Sequence, residues 1–151
     1  MSAGSIKQRL DDAMKAAMRA QEKQRLGVIR LIQAAFKQRE VDERIAITDE
    51  IALQILDKMV KQRRESIRQF EAANRNDLVV VEQFELVILQ EFMPAALSAD
   101  EVHKLIAAAV QESGAKTAKD MGLVMGILKP QLQGRADMSE VSGLIKTMLT
   151  G

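Results

Sequence analysis

Residues 119–145, KDMGLVMGILKPQLQGRADMSEVSGLI, predict two short helices joined by a sharp reversal of the chain. Thr117 followed by Asp120 is a helix-start signal, because a hydroxyl and an acid both suit the positive end of the helix dipole. Pro130 is expected to end this helix, since proline cannot continue the backbone hydrogen-bond ladder. Gly134 can adopt the left-handed backbone conformation that a tight turn needs.

The turn and the start of the last helix are marked by charged side chains. Asp137 and Glu140 have the spacing of a capping box, which predicts that the last helix begins there. The predicted loop between the two helices carries Lys129 and Arg135. Because both are cations in an exposed loop, they are candidate phosphate contacts, and for Arg135 we favour the binding role.

Gly122 and Gly126 lie one turn apart on a single face of the first of these helices. Each glycine costs about 1 kcal/mol relative to alanine inside a helix, so the face has a packing or functional reason. One interpretation is close packing against a neighbouring helix, which a small module needs, and we favour it. The other is a flat surface that the backbone of an RNA can approach.

A boundary between two parts of the chain is predicted at Met93-Pro94. Proline disfavours helix in the residue before it, and a capping box, Ser98-x-x-Glu101, follows directly. We therefore predict an all-α protein in two parts: an N-terminal helical bundle of about four helices at 1–93 and a C-terminal three-helix module at 94–151.

Four helices are predicted before the boundary, at residues 5–22, 25–41, 48–73 and 77–92. The first has a buried stripe that ends at Gln21, and the segment VDERIAI at 41–47 is expected to be a loop. The three valines in the last segment would suit a strand. The spacing of Leu78, Val81, Glu85 and Ile88 favours a helix instead.

The composition is that of a folded protein without cysteine chemistry. Of 151 residues, 47% are apolar and only 3% aromatic, and the chain has no cysteine. Disulfides, thiolate metal sites and cysteine nucleophiles are therefore excluded. His103 is the sole histidine and is expected on the surface. No metal or cofactor site is predicted, no segment is apolar enough for a membrane span, and a cytoplasmic location is expected.

Positive charge is concentrated in the first half of the chain. Residues 1–75 hold 16 basic and 11 acidic side chains, net +5, whereas residues 76–151 hold 6 and 10, net −4. The clearest basic pattern recurs every three or four residues on the third predicted helix. This basic stripe consists of Lys58, Lys61, Arg64 and Arg68. Such a stripe can follow a phosphate backbone, or it can be neutralised by Glu82, Glu85 and Glu91 of the next helix.

Several phrases of the sequence resemble a known family. They are RLGVIRLIQAAFKQREV at 25–41, KMVKQRRESIRQF at 58–70, EFMPAALS at 91–98 and the run VMG to KPQLQGRAD already described. The chain resembles the small stand-alone GatB/YqeY family, which is similar to the C-terminal tail module of the B subunit of glutamine-dependent aminoacyl-tRNA amidotransferases.

The resemblance implies a link to tRNA and to amide transfer with glutamine as amido donor. It transfers no catalytic residue, because the catalytic part of the large B subunit is not in this chain. The implied partners are tRNA and an amidotransferase subunit or aminoacyl-tRNA synthetase. Lys58, Lys61, Arg64, Arg68, Lys129 and Arg135 are the predicted RNA contacts.

Three functional hypotheses stay open at this point. The first is a non-catalytic, tRNA-binding accessory protein, and the second is an enzyme that assists carbon–nitrogen ligation. The third is a helical protein–protein adapter without RNA binding. With the resemblance, phosphate binding and internal ion pairing are equally weighted explanations of the basic stripe.

Overall fold

The computed structural model describes residues 5–150 and shows helices without any strand in that range. The all-α prediction is confirmed. Contacts within the chain divide it into two compact units, with the division between Met93 and Pro94. That these units are separate domains, at 1–93 and 94–151, stays a prediction.

The first unit contains four helices, α1 (Ile6–Arg19), α2 (Lys23–Glu43), α3 (Asp49–Ala72) and α4 (Asn76–Glu91). Ser5 caps α1 by accepting a hydrogen bond from the Gln8 amide, and Thr48 caps α3 through the Ile51 amide. All four helices contribute fully buried aliphatic side chains to the core of this unit, namely Leu10, Ile29, Ile32, Leu56 and Leu89.

The boundaries of α1 and α2 differ from the sequence prediction. Gln21, predicted on a buried stripe, is exposed in the turn after α1, where its φ of 58° is left-handed. The segment predicted as a loop from residue 41 stays helical as far as Glu43, which forms an ion pair with Arg39 one turn earlier. The helix ends where Arg44 adopts a left-handed φ of 54°.

The valine-rich segment forms α4, so the choice of helix over strand is confirmed. Of the residues whose spacing favoured a helix, Ile88 is buried, whereas Val81 is 53% exposed. Val79 and Leu89 are also buried on the core side. The helix is apolar around most of its circumference, and for that reason its spacing alone did not distinguish the core side.

The second unit contains α5 (Ala99–Ser113), a short 3₁₀ turn (Ala118–Asp120), α6 (Met121–Leu132) and α7 (Met138–Thr150). The predicted capping box at Ser98 and Glu101 is present, and Gly114 and Gly134 both have positive φ, as turn glycines do. The buried side chains of the three helices form a separate core whose fully enclosed members are Ile106, Val124, Leu128, Leu132, Val141 and Ile145.

Pro130 does not end α6, contrary to the prediction, because the helix continues to Leu132. Pro130 lies on the exposed side in the last turn, and Leu132 is completely buried. Burial of Leu132 holds the final turn, so the loss of one amide hydrogen bond at the proline is tolerated. Lys129 consequently lies on the helix and not in the loop.

Candidate nucleic-acid interface

The described residues do not form a metal or histidine-based centre. No group of three or more histidine, cysteine or carboxylate side chains converges within residues 5–150. His103 is exposed on α5, as the sequence indicates.

The basic stripe Lys58, Lys61, Arg64 and Arg68 lies on the exposed side of α3. All four side chains are exposed, while Ala52, Leu56 and Val60 are buried on the opposite side of the same helix. Residues three or four apart on a helix are about 5–6 Å apart, so the four cations form a continuous row. The periodicity in the sequence placed these residues correctly on one face.

Two of the four cations have partners, and both partners belong to α3 itself. Lys61 lies 3.4 Å from Asp57, and Arg68 donates to Glu65 at 2.7 Å. Lys58 and Arg64 form no ion pair or hydrogen bond with another side chain in residues 5–150. Exposed ion pairs such as Lys61–Asp57 and Arg68–Glu65 contribute about 0–1 kcal/mol to stability. An incoming phosphate can therefore take the place of the carboxylate in either pair.

The acids of α4 do not neutralise the stripe. Glu82 accepts a hydrogen bond from Arg63 at 3.1 Å, and Glu91 lies 2.5 Å from Arg25 of α2. Arg63 is on the inner side of α3, one residue from Arg64 but facing α4. The alternative in which Glu82, Glu85 and Glu91 pair with the stripe is therefore not what the structure shows.

Glu85 also approaches Arg63, without a hydrogen bond. The Nη1 atom of Arg63 is 3.1 Å from Oε2 of Glu85, but this oxygen is buried with no donor in hydrogen-bond geometry. The contact is therefore a charge interaction without a hydrogen bond. Burial raises the pKa of Glu85, the charge of Arg63 acts in the opposite direction, and the neighbouring Glu82 raises the pKa further.

In the second unit, α6 presents Gly122, Gly126 and Lys129 on its exposed side. A methyl group built on either glycine would meet no atom within 4 Å. The favoured interpretation, close helix packing at these glycines, is therefore wrong. Val124, Leu128 and Leu132 face the core instead, and the glycines form an open surface beside Leu123, which is 59% exposed.

Arg135 is half-buried in the loop before α7 and is bonded to the start of its own unit. Its Nε donates to the Ala95 carbonyl at 3.3 Å, and its own carbonyl accepts from the Leu97 amide at 2.9 Å. The Ser98 amide holds the pKa of Glu101 below its ordinary value, and the positive charge of Arg135 lowers it further. Arg135 thus has a structural role in addition to any contact with a ligand.

The six predicted contact residues fall into two separate groups. Lys58, Lys61, Arg64 and Arg68 form one row in the first unit, and Lys129 and Arg135 belong to the second unit. The role of Arg63 was missed. Its position on the apolar side of α3 was the available signal, because a charge among buried residues requires a partner.

Comparison with known proteins adds a family and several relatives. The family model described as Yqey-like protein matches residues 7–149. The altered inheritance of mitochondria protein 41, mitochondrial, of Pyrenophora tritici-repentis is 33% identical over 136 residues, or 87% of this chain and 74% of that protein. Its namesake in Eremothecium gossypii is 40% identical over 96 residues, 62% of this chain and 52% of that protein.

The protein of the same name in Saccharomyces cerevisiae (strain YJM789) is 33% identical over 110 residues, 68% of this chain and 60% of that protein. In these last two relatives, the chain therefore spans less than two thirds of the full length. No helix within residues 5–150 has the length and apolar character needed to cross a membrane.

Proposed function

The chain belongs to the Yqey-like protein family, and on that premise we propose that it is a non-catalytic accessory protein that binds tRNA and assists glutamine-dependent amide transfer on tRNA. The family resembles the tail module of the amidotransferase B subunit, which motivates tRNA as the ligand. The amide-transfer chemistry belongs to a partner enzyme in this proposal, an amidotransferase subunit or an aminoacyl-tRNA synthetase.

The observation that carries the RNA-binding proposal is the orientation and charge of the basic stripe on α3. Lys58, Lys61, Arg64 and Arg68 point away from the core, and the acids of α4 are engaged by Arg63 and Arg25 instead. A row of exposed cations with weak internal pairing gains affinity by releasing counterions from a polyphosphate backbone.

The chemistry of the individual side chains refines this interface. Lys58 and Arg64 have no ion pair to break among the described residues before they bind phosphate, whereas Lys61 and Arg68 must leave Asp57 and Glu65. An arginine can donate two parallel hydrogen bonds to one phosphate, so Arg64 is the strongest single contact in the proposed interface.

The outer side of α6 is the proposed second contact. Gly122 and Gly126 leave the helix backbone without side-chain cover, and Lys129 lies exposed one turn further along the same side. An RNA backbone can approach such a helix closely while a lysine holds a phosphate. Arg135 contributes through its Nη groups, because its Nε is already bonded to Ala95.

A cytoplasmic location is part of the proposal, and the relatives bear on it. The names of the three relatives all contain the word mitochondrial. A cell-fractionation experiment on the source cells would decide between the compartments, because the RNA-binding proposal applies to tRNA in either one.

The direct test is filter binding of unmodified tRNA to the parent protein and to a variant with all four stripe residues replaced by glutamine. We expect the parent to bind at low salt and the variant to lose most of that affinity at unchanged helix content. A parent protein that does not retain tRNA at low salt would contradict RNA binding. Ammonia release from glutamine by the purified chain alone would contradict the non-catalytic role.

The adapter alternative is separated by a pull-down with and without ribonuclease. Loss of the amidotransferase or synthetase partner after ribonuclease treatment would show that RNA bridges the two proteins, as we expect. Retention of the same partner after treatment, together with no tRNA binding, would favour the protein–protein adapter.

A further inference from the structure

Helix α2 carries a second row of cations, on the side that faces away from the core of the first unit. Its members recur at every seventh residue and their side chains are all exposed: Lys23, Arg30, Lys37 and, at the C-cap, Arg44. Seven residues of α-helix span roughly 10.5 Å, so the row extends over about 31 Å. Ile29 and Ile32 lie in the core on the opposite side of the same helix.

These four cations have no salt-bridge partner among residues 5–150, and their side chains form no hydrogen bond in that range. The acids of α2 and of its N-cap are engaged by other residues, namely Glu22 by Arg25, Glu40 by Lys7, Asp42 by Gln38 and Glu43 by Arg39. The hydrogen bond from Lys7 and, to a smaller extent, the charges of Lys7 and Lys37 hold the pKa of Glu40 below its ordinary value. The positive charge of the row is therefore available to a molecule outside the first unit.

Small or apolar residues alternate with the cations. Gly27, Ala34 and Val41 are exposed, and each lies four residues after one cation and three residues before the next. A methyl group built on Gly27 would meet no atom within 4 Å, so the space beside the helix is open. The outer α2 face consists of the four cations and these three residues. Because its uncharged residues are small, another helix can approach it to the usual axial distance of roughly 8–10 Å.

A seven-residue repeat of charge suits a partner helix better than a nucleic acid. A helix that lies along α2 repeats its own positions at the same interval, so one carboxylate in each heptad can meet each cation. A nucleic-acid duplex carries one phosphate in about 1.7 Å of axis, which is several times denser than one cation in roughly 10.5 Å. The basic stripe on α3, with a cation at every third or fourth residue, matches such a backbone more closely.

We propose that the outer α2 face binds an acidic amphipathic helix of a partner protein, in which one Asp or Glu of each heptad pairs with one cation of the row. Apolar side chains of the partner, three or four residues from its acids, pack over Gly27, Ala34 and Val41. A heptad row drifts by about 20° in each repeat of a straight helix, so the two helices cross at about 20°. The interface is independent of RNA binding, because it uses none of the predicted RNA contacts.

A designed peptide is the probe for this interface, because the spacing of its acids can be changed at constant composition. The heptad peptide is a helix of about four heptads with glutamate at every seventh position, leucine four residues after each glutamate, and alanine and glutamine elsewhere. The control peptide has the same composition with glutamate at every fifth position, which spreads the acids around the helix. Fluorescence anisotropy of each labelled peptide with the whole protein measures binding at about 0.15 M salt, where distant charges are screened.

We expect the protein to bind the heptad peptide and to bind the control peptide about tenfold more weakly or not at all. Arg30→Gln/Lys37→Gln should weaken binding of the heptad peptide by about 5–25-fold, as expected for the loss of two exposed ion pairs. Lys61→Gln/Arg64→Gln on α3 removes the same charge and is the matched control, with unchanged binding of the peptide. Arg30→Glu/Lys37→Glu should lose the heptad peptide and bind a peptide in which lysine replaces the two central glutamates.

Four results would overturn the proposal. The first is a parent protein that does not bind the heptad peptide. The second is equal affinity for the two peptides, or an equal loss in both Gln double variants, because either result would mean attraction by net charge alone. The third is failure of the charge exchange in a variant that keeps the helix content of the parent. The last is a loss of tRNA affinity in Arg30→Gln/Lys37→Gln with unchanged peptide binding, which would assign the outer α2 face to RNA.

Discussion

Arg63 of α3 and Glu85 of α4 meet at 3.1 Å, and each lies among the buried and half-buried residues of its own helix. Their side chains are 25% and 18% exposed, so the pair is largely removed from water. Arg63 also bonds to Glu82, and these contacts hold the two helices in register. The same contacts keep the acids of α4 away from the basic stripe.

Replacement of Arg63 by methionine should destabilise the first unit in a pH-dependent way. The variant leaves Glu82 and Glu85 partly buried without a cation, and we expect a loss of about 1–3 kcal/mol in unfolding free energy at pH 7. Burial already raises the pKa of Glu85 above its ordinary value, and loss of Arg63 raises this pKa further. In the Arg63→Met variant, the folded state therefore holds the proton of the Glu85 carboxyl more tightly than the unfolded chain does.

The deficit relative to the parent should therefore be small near pH 4.5 and grow as the pH rises through the folded pKa. Urea unfolding of the parent and of the variant at pH 4.5 and at pH 7 measures this deficit in unfolding free energy. Adding Glu85→Gln to the Arg63→Met variant should remove most of the pH dependence. A deficit of equal size at both pH values would mean that packing of the arginine stem, and not charge, is what Arg63 contributes.

Alanine at Gly122 and at Gly126 should stabilise the protein. Both positions are helical with open space beside them, so each substitution is expected to add about 0.5–1 kcal/mol to stability. Thermal melting is the measurement, with Gly27→Ala in α2 as a matched control that should behave alike. Gly114→Ala should destabilise, because Gly114 has a φ of +71°.

The glycine variants also bear on the proposed second RNA contact. If RNA approaches the α6 backbone, Gly126→Ala weakens tRNA binding while it raises the melting temperature, and Gly27→Ala leaves binding unchanged. Equal tRNA affinity for Gly126→Ala and the parent would remove α6 from the interface without affecting the stripe on α3.

Features of the fold that depend on neighbouring residues were predicted from the sequence, whereas features that depend on distant contacts were not. The cap at Ser98 and the turn glycine Gly134 depend on a few neighbouring residues, and they were predicted correctly. The end of α6 was predicted wrongly, because burial of Leu132 outweighs the effect of Pro130. That burial depends on contacts distant in sequence.

In the candidate site, too, local patterns were predicted correctly and contacts between helices were not. Helical periodicity alone placed Lys58, Lys61, Arg64 and Arg68 on one exposed side of α3. The partners of the α4 acids depend on how α2, α3 and α4 pack, which no short pattern contains. The open surroundings of Gly122 and Gly126 likewise required the structure, because a glycine pair looks identical in sequence whether it packs or faces solvent.

The boundary at Met93-Pro94 should be the first site of proteolytic cleavage. The segment between α4 and α5 is not helical, and it is bonded to Arg135 through Ala95 and Leu97. We expect a protease specific for apolar residues to cut near residues 93–98, and Arg135→Ala to accelerate the cut a few-fold by removing the bond to Ala95. Lys129→Ala is the matched control with no expected effect.

Mass spectrometry of the fragments identifies the first cut. Resistance between residues 93 and 98, with earlier cleavage inside α3 or α6, would contradict the prediction of a domain boundary at Met93-Pro94.

The most direct test of the RNA-binding account is the salt dependence of tRNA affinity for the parent and for Lys58→Gln/Arg64→Gln. Within residues 5–150 these two cations have no partner to release, so each is expected to contribute one full phosphate contact. The logarithmic slope of affinity against salt should become shallower by roughly 0.7–0.9 per lost contact, or about 1.4–1.8 in the double variant. Lys15→Gln, exposed on α1, should leave the slope unchanged. An unchanged slope in the double variant, or a parent whose tRNA binding does not depend on salt, would contradict the account.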